Sequence, residues 1–131
     1  MSETLIFIPA RSGSKRIKNK NIRKVNGKPL IYWTIEYAKK YVKNSEDIIV
    51  SSDSNYIHKI SIQEKVRFFK RPKNISGDKA EVYFAVIHAL NKIKNSKKYK
   101  YIALLQPTSP IRPKNMIFNG IKTLEKNKNF Q

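Results

Sequence analysis

The stretch Pro9-Ala10-Arg11-Ser12-Gly13-Ser14-Lys15-Arg16-Ile17-Lys18-Asn19-Lys20-Asn21 concentrates residue types that hold phosphate. Gly13 relaxes the backbone, Ser12 and Ser14 add small hydroxyl donors, and successive backbone amides can wrap an anion. Arg11, Lys15 and Lys20 supply charge to offset a triphosphate, arginine being suited to bidentate contact. The pattern is neither a Walker A loop, with Gly-Lys-Ser/Thr opening a helix, nor a Gly-x-Gly-x-x-Gly dinucleotide turn. Taken alone, it fits an ordinary solvated basic loop as well as an anion site.

Other polar segments carry similar potential. Ser51-Ser52-Asp53 follows an apolar run, and Asp53 suits either a helix cap or chemistry at a strand end. Lys70 to Gly77 reads as a loop containing Arg71. Gln106 to Pro113 holds three prolines and must also be a loop. Asn21 suits a turn or a phosphate or ribose contact. Gln106 stands at a strand end before a rigid segment. His88 and His58 read as helix residues without metal-ligand partners at useful spacing. Trp33 and the neighbouring tyrosines read as packing groups.

The elements that must position these segments alternate short strands with amphipathic helices. This pattern predicts a Rossmann-like three-layer α/β domain with a mainly parallel sheet. Leu5-Ile6-Phe7-Ile8 is a continuous apolar run, as in a strand covered on both faces. After a polar stretch from Arg11 to Lys28, Pro29 suits a helix's first turn, and Ile31, Ile35, Ala38 and Val42 recur at helical spacing. Ile48 to Val50 is the second strand. Asn55 to Glu64 is a helix burying Ile57, Ile60 and Ile62. Val66 to Phe69 is a short strand. Asp78 and Glu81 have the spacing of a capping pair before the stripe Val82, Val86, Ala89 and Ile93. Tyr101 to Leu105 reads as a buried strand, and Met116, Ile117, Gly120, Ile121 and Leu124 as a final amphipathic helix. Gln131 follows that helix with no further strand, so the domain reads as incomplete at its C-terminus.

The 131 residues have the size of one domain, and 40% of them are hydrophobic. No stretch reaches the roughly 18 consecutive apolar residues of a membrane span. Met1-Ser2-Glu3-Thr4 passes straight into a short apolar run, without the basic segment and long apolar region of a secretory signal. The chain therefore reads as cytoplasmic. The absence of cysteine excludes disulfides and thiolate metal sites. The net charge of +19 would favour anionic partners of any kind. Heavy use of Lys, Asn and Ile together makes most of that charge a compositional background, so only basic residues tied to particular loops carry functional weight.

Several blocks jointly resemble one family. Ile8-Pro9-Ala10-Arg11, Gly13-Ser14-Lys15-Arg16-Ile17, Lys20-Asn21-Ile22 and Gly27-Lys28-Pro29-Leu30-Ile31 resemble the opening signature of acylneuraminate cytidylyltransferases. Val50-Ser51-Ser52-Asp53, Lys70-Arg71-Pro72 with Asp78, and Val86-Ile87-His88-Ala89-Leu90 are similar to later blocks of the same family. Leu104-Leu105-Gln106-Pro107-Thr108-Ser109-Pro110-Ile111-Arg112 matches its Leu-Gln-Pro-Thr-Ser-Pro-Leu-Arg block almost letter for letter.

The resemblance implies transfer of CMP from CTP to a sialic-acid-type nonulosonic acid, with release of pyrophosphate. It places Ala10, Arg11, Ser12, Gly13, Ser14, Lys15, Lys20, Asn21 and Arg71 at the nucleotide. It places Gln106, Thr108 and Ser109 at the sugar acid, with Arg11, Lys20 and Gln106 in the catalytic set. It further implies Mg²⁺ held by aspartates downstream of Gln131 and a homodimer for the complete protein; within the chain itself Asp53 is the candidate ligand, its helix-cap reading standing beside that one. Glu81 departs from the small or hydroxylated residues usual in its region. Legionaminic, pseudaminic and 3-deoxy-octulosonic acids are rival sugars. A basic nucleic-acid-binding module is the rival from another class, although the sequence lacks a recognition motif and aromatics interleaved with its lysines. A truncated CTP-binding protein without activity is the third reading.

Overall fold

The computed structural model describes residues 4–10, 24–70, 79–93, 98–106 and 116–126. Its main sheet has the order β5-β4-β1-β6, every neighbouring pair parallel. The strands are β1 (Thr4–Pro9), β4 (Ile48–Ser52), β5 (Arg67–Lys70) and β6 (Tyr101–Leu104). Two short strands, β2 (Lys24–Val25) and β3 (Lys28–Pro29), form a separate antiparallel hairpin. The helices are α1 (Leu30–Tyr41), α2 (Asn55–Gln63), α3 (Lys79–Lys92) and α4 (Met116–Lys126). None of the described helices is long and apolar enough to cross a membrane.

The side-chain period of two in a strand explains why β1 is apolar from Leu5 to Ile8. Ile6 and Ile8 join Ile48 and Val50 in a core shared with Ile31, Ile35 and Ala38 of α1, Ile57 and Ile60 of α2, and Ile117 of α4. Leu5 and Phe7 point the other way and, with Ile49, meet Ala85 and Ala89 of α3 and Ile93 just beyond it. Helices thus cover both faces, and the expected three-layer architecture is present.

Differences from the sequence reading have local causes. The polar stretch before α1 contains the hairpin, and Pro29 closes β3 as the residue preceding α1, with an extended ψ of 156°. In α2, Ile62 is 63% exposed, whereas Ser61 is buried and donates its hydroxyl to the Ile57 carbonyl at 2.9 Å. The helical spacing of 57, 60 and 61 leaves position 62 on the outer flank. Among the described residues β6 is covered on one face: Ala103 packs on the α1 side, while Ile102 and Leu104 are 40% and 45% exposed. In α4, Ile117 is buried and Ile121 packs on the core, but Met116 and Leu124 face outward. Ala85, absent from the expected stripe of α3, is buried, while Asp78 and the side chains of Glu81 and Val82 lie outside the described residues.

α2 ends in a Schellman motif built without glycine. Val66 donates its N–H to the Ser61 carbonyl and Lys65 to that of Ile62, both at 3.1 Å. Lys65 sits at φ 61°, in the left-handed region that an L side chain occupies at a cost. The motif turns the chain directly into β5. Beside it, Lys39 of α1 bonds Glu64 at 2.9 Å and lies 3.6 Å from Glu36. Burial acts to raise the Glu64 pKa, but the Lys39 bond and nearby positive charge outweigh it and hold the carboxyl below its ordinary value.

At the amino ends of the strands, Tyr99 donates its hydroxyl to Asp47 Oδ1 at 2.6 Å, and Lys98 Nζ lies 3.7 Å from the same oxygen. Asp47 is buried and immediately precedes β4, while Tyr99 leads into β6. The bond therefore fastens two strands that are separated by β1. Burial, then the bond and charge of Asp47, push the Tyr99 pKa well above its ordinary value.

Tyr99→Phe should lower unfolding free energy by about 1–3 kcal/mol at neutral pH, because it strands a buried carboxylate acceptor. The raised pKa means this advantage of the native protein is complete below the ordinary tyrosine value, near pH 10, and declines above it. Urea melts of both proteins at several pH values measure this; a pH-independent gap would contradict it. Lys65→Gly should instead stabilise by about 0.5–1 kcal/mol by relieving the left-handed strain, seen as a higher urea midpoint with unchanged slope.

Candidate functional site

Polar segments leave the sheet side by side at the carboxyl ends of its strands. Pro9 is in register with Ser51, and Phe7 with Leu104. Just beyond the paired strands, Ala10 donates its N–H to the Ser51 carbonyl at 2.8 Å, and Leu105 to the Phe7 carbonyl at 3.0 Å. Ala10 and Leu105 are buried, whereas Gln106 is exposed. Ala10, Asp53 and Gln106 therefore stand on one edge of the sheet, and β5 ends on it at Lys70, directly before Arg71. β4 and β5 lie on one side of β1 and β6 on the other, so the direction of winding reverses at β1. Ligands of open parallel sheets bind at such a switch point.

Of the residues nominated from sequence, Ala10, Asp53 and Gln106 are within the described structure. Arg11, Ser12, Gly13, Ser14, Lys15, Lys20, Asn21, Arg71, Thr108 and Ser109 lie outside the described residues. Each belongs to a segment that departs from one of these strand ends.

Of the two readings left open for Asp53, the structure answers the helix cap. Ser54 is the N-cap of α2, its hydroxyl oxygen accepting from the Ile57 N–H at 3.3 Å. Ser52 Oγ accepts from the Ser54 N–H at 3.0 Å, tightening the same turn. Asp53 does not cap the helix; it is half-buried at the strand-end edge.

The described carboxylates are distributed unevenly. Glu36 and Glu64 are engaged by Lys39, Glu46 lies 3.6 Å from Arg67 Nη2, and Asp47 is held by Tyr99 and Lys98. Glu46 and Asp47 precede β4 and so lie at the opposite edge. Among the described residues, Asp53 is the carboxylate found where strands end. No group of three or more His, Cys, Asp or Glu there could hold a metal ion. His58 stacks on Phe68 with ring centroids 4.3 Å apart, and His88 is half-buried in α3.

One feature of this region went unread in the sequence. Asn26 and Gly27 adopt φ of 52° and 81°, giving the two-residue reversal between β2 and β3. Asn-Gly flanked by Val25 and Lys28 is the short-range signal for such a turn. Trp33 of α1 donates its indole N–H to the Val25 carbonyl at 2.9 Å, so it is more than a packing group.

Comparison with known proteins agrees with this architecture. The family profile described as Cytidylyltransferase matches residues 5–131. The chain is 38% identical to an N-acylneuraminate cytidylyltransferase of Escherichia coli O18:K1:H7, over 95% of this chain and 30% of that protein. It is 37% identical to a CMP-N,N'-diacetyllegionaminic acid synthase of Legionella pneumophila, over 90% of this chain and 51% of that one. The chain thus spans about half, or less, of the curated relatives it matches. A solved CMP:2-keto-3-deoxy-manno-octonic acid synthetase complexed with CTP superposes with a TM-score of 0.77 at 19% identity, covering 97% of this chain and 49% of that one. That likeness demonstrates a shared fold. With the profile matching nearly the whole length, the chain belongs to the cytidylyltransferase family.

Proposed function

We propose that the chain supplies the nucleotide-binding part of an enzyme that transfers CMP from CTP to a sialic-acid-type nonulosonic acid, releasing pyrophosphate. The observation that carries this reading is the convergence of Ala10, Asp53 and Gln106 at the carboxyl edge, beside the point where winding reverses. The family relationship adds that relatives matching most of this chain are named for activating acids of this class.

Such a transfer needs no covalent nucleophile. A sugar hydroxyl attacks the α-phosphorus of CTP while the bond to the pyrophosphate oxygen breaks. Catalysis comes mainly from holding the reactants in line and offsetting charge on phosphate oxygens. In this reading Arg11, Lys15, Lys20 and Arg71 offset the triphosphate charge. Ser12, Gly13, Ser14 and Asn21 contribute hydroxyl, amide and carboxamide contacts. Gln106, with Thr108 and Ser109, orients the sugar acid. Mg²⁺ is usually held by one or two carboxylates together with substrate phosphates, and Asp53 fits the first of these in type and place. The ion would add Lewis-acid stabilisation of the phosphoryl oxygens.

CTP should bind more tightly than ATP, GTP or UTP, and Arg11→Ala or Lys20→Ala should each weaken it by about 1.5–3 kcal/mol as a charge-assisted contact is lost. Lys40→Ala and Lys59→Ala, exposed positions on α1 and α2, should leave affinity unchanged. Calorimetry with the four triphosphates decides; equal losses at all four lysine and arginine positions would reduce the attraction to general charge. A nucleic-acid module would instead bind random duplex with affinity falling steeply as salt rises.

Gln106→Ala in a complete enzyme should raise KM for the sugar acid more than KM for CTP. A coupled pyrophosphate assay across N-acetylneuraminic, legionaminic, pseudaminic and 3-deoxy-octulosonic acids provides the measurement. The same assay ranks the sugars, and preference for the eight-carbon acid would overturn the nonulosonic assignment.

A further inference from the structure

The dipeptide Asn-Gly occurs twice in the chain, at 26–27 and at 119–120. Both copies are exposed, and a Cβ built on either glycine would meet nothing within 4 Å. Residue type and steric access are therefore matched, and the two copies differ in their backbone. Asn26 and Gly27 form the reversal of the β2–β3 hairpin, at φ 52° and 81°. Asn119 and Gly120 lie inside α4.

An asparagine followed by glycine carries its own reaction partner. The glycine amide nitrogen can attack the side-chain carbonyl carbon, giving up its proton to water while the carboxamide nitrogen leaves as ammonia. The product is a cyclic imide, a succinimide. Water then opens the ring at one carbonyl to give aspartate, or at the other to give isoaspartate, in which the chain runs through the former side chain. Glycine, having no Cβ, leaves the approach uncrowded.

Closing the ring needs an unengaged amide nitrogen and a peptide able to rotate. In α4 neither condition holds. The Gly120 N–H belongs to the helical pattern, directed at the Met116 carbonyl four residues before it. Unwinding there would also pull Ile117 and Ile121 from the core. In the hairpin, among the described residues, no backbone bond engages the Gly27 N–H. The turn is framed by two residue pairs, Lys24 with Pro29 and Val25 with Lys28, and a two-stranded hairpin this small opens at low cost.

We propose that Asn26 is a site of spontaneous deamidation through a succinimide, while the helical backbone of α4 shields the identical dipeptide at 119–120. Conversion puts a carboxylate between Lys24 and Lys28. In the isoaspartyl form an added methylene lengthens the turn, which loosens the Val25 carbonyl from the Trp33 indole that donates to it at 2.9 Å.

The test is ageing of the 131-residue chain in mildly alkaline buffer, both folded and in concentrated urea. Peptide mass spectrometry follows the change from amide to acid at each site, and enzymatic methylation detects isoaspartate. In the folded chain Asn119 should convert at least about tenfold more slowly than Asn26, equivalent to a helix-opening cost of about 1.4 kcal/mol. In urea the two rates should agree within about twofold, because unfolding removes the difference in backbone. Equal rates in the folded chain overturn the proposal, as does an Asn26 that survives when folded but reacts in urea. A preference that persists unchanged in urea also overturns it, since neighbouring residues rather than the fold would then set the rates. Aspartate formed without isoaspartate would overturn the ring route. Trp33, the single tryptophan, gives an independent readout: its emission should change in step with isoaspartate, and constant emission would overturn the loosening of the turn.

Discussion

A strand paired on both edges and covered on both faces can place polar side chains only beyond its ends. β1 is in that position, with β4 and β6 along its edges, α1 and α2 over one face and α3 over the other. Its side chains from Leu5 to Ile8 are fully excluded from solvent. The amino end of the sheet is occupied by the bond between Asp47 and Tyr99. What remains for chemistry is the carboxyl edge, where backbone bonds beyond the strands keep Ala10 beside Ser51 and Leu105 beside Phe7.

Much of this was legible in the sequence because burial leaves a periodic trace. The unbroken run in β1 and the stripe of Ile31, Ile35, Ala38 and Val42 identified the central strand and its covering helix correctly. Where the trace depends on a neighbour, it misled. Ile102 and Leu104 resemble the buried residues of β1 in type, yet no described helix covers them. Backbone-driven features were harder still. Lys65 adopts a left-handed angle without being glycine, so nothing in its identity announces the end of α2. The Asn26-Gly27 turn carried a recognisable signal, obscured by its setting within a long lysine-rich stretch.

The candidate site was legible in another way. Residue types and family resemblance nominated the strand-end segments, and the parallel order of the sheet brings their origins together. Geometry then distinguished residues of similar type. Ser54, one position beyond Asp53, takes the capping role expected of its neighbour. Trp33, read as packing, carries a directed bond to a carbonyl eight residues earlier. Neither distinction follows from composition, because each depends on which of two adjacent groups reaches a backbone partner.

The half-covered β6 bears on how the molecule behaves in concentrated solution. In β6, Ile102 and Leu104 leave apolar surface exposed, which favours adhesion between copies. Opposing that adhesion is the net charge of +19, which makes copies of the chain repel one another. Repulsion is shortened by salt, to about 10 Å at 0.1 M and about 3 Å at 1 M, whereas apolar attraction is not screened this way. The lysine-rich background, uninformative about catalysis, therefore acts as a colloidal stabiliser whose reach shrinks as ionic strength rises.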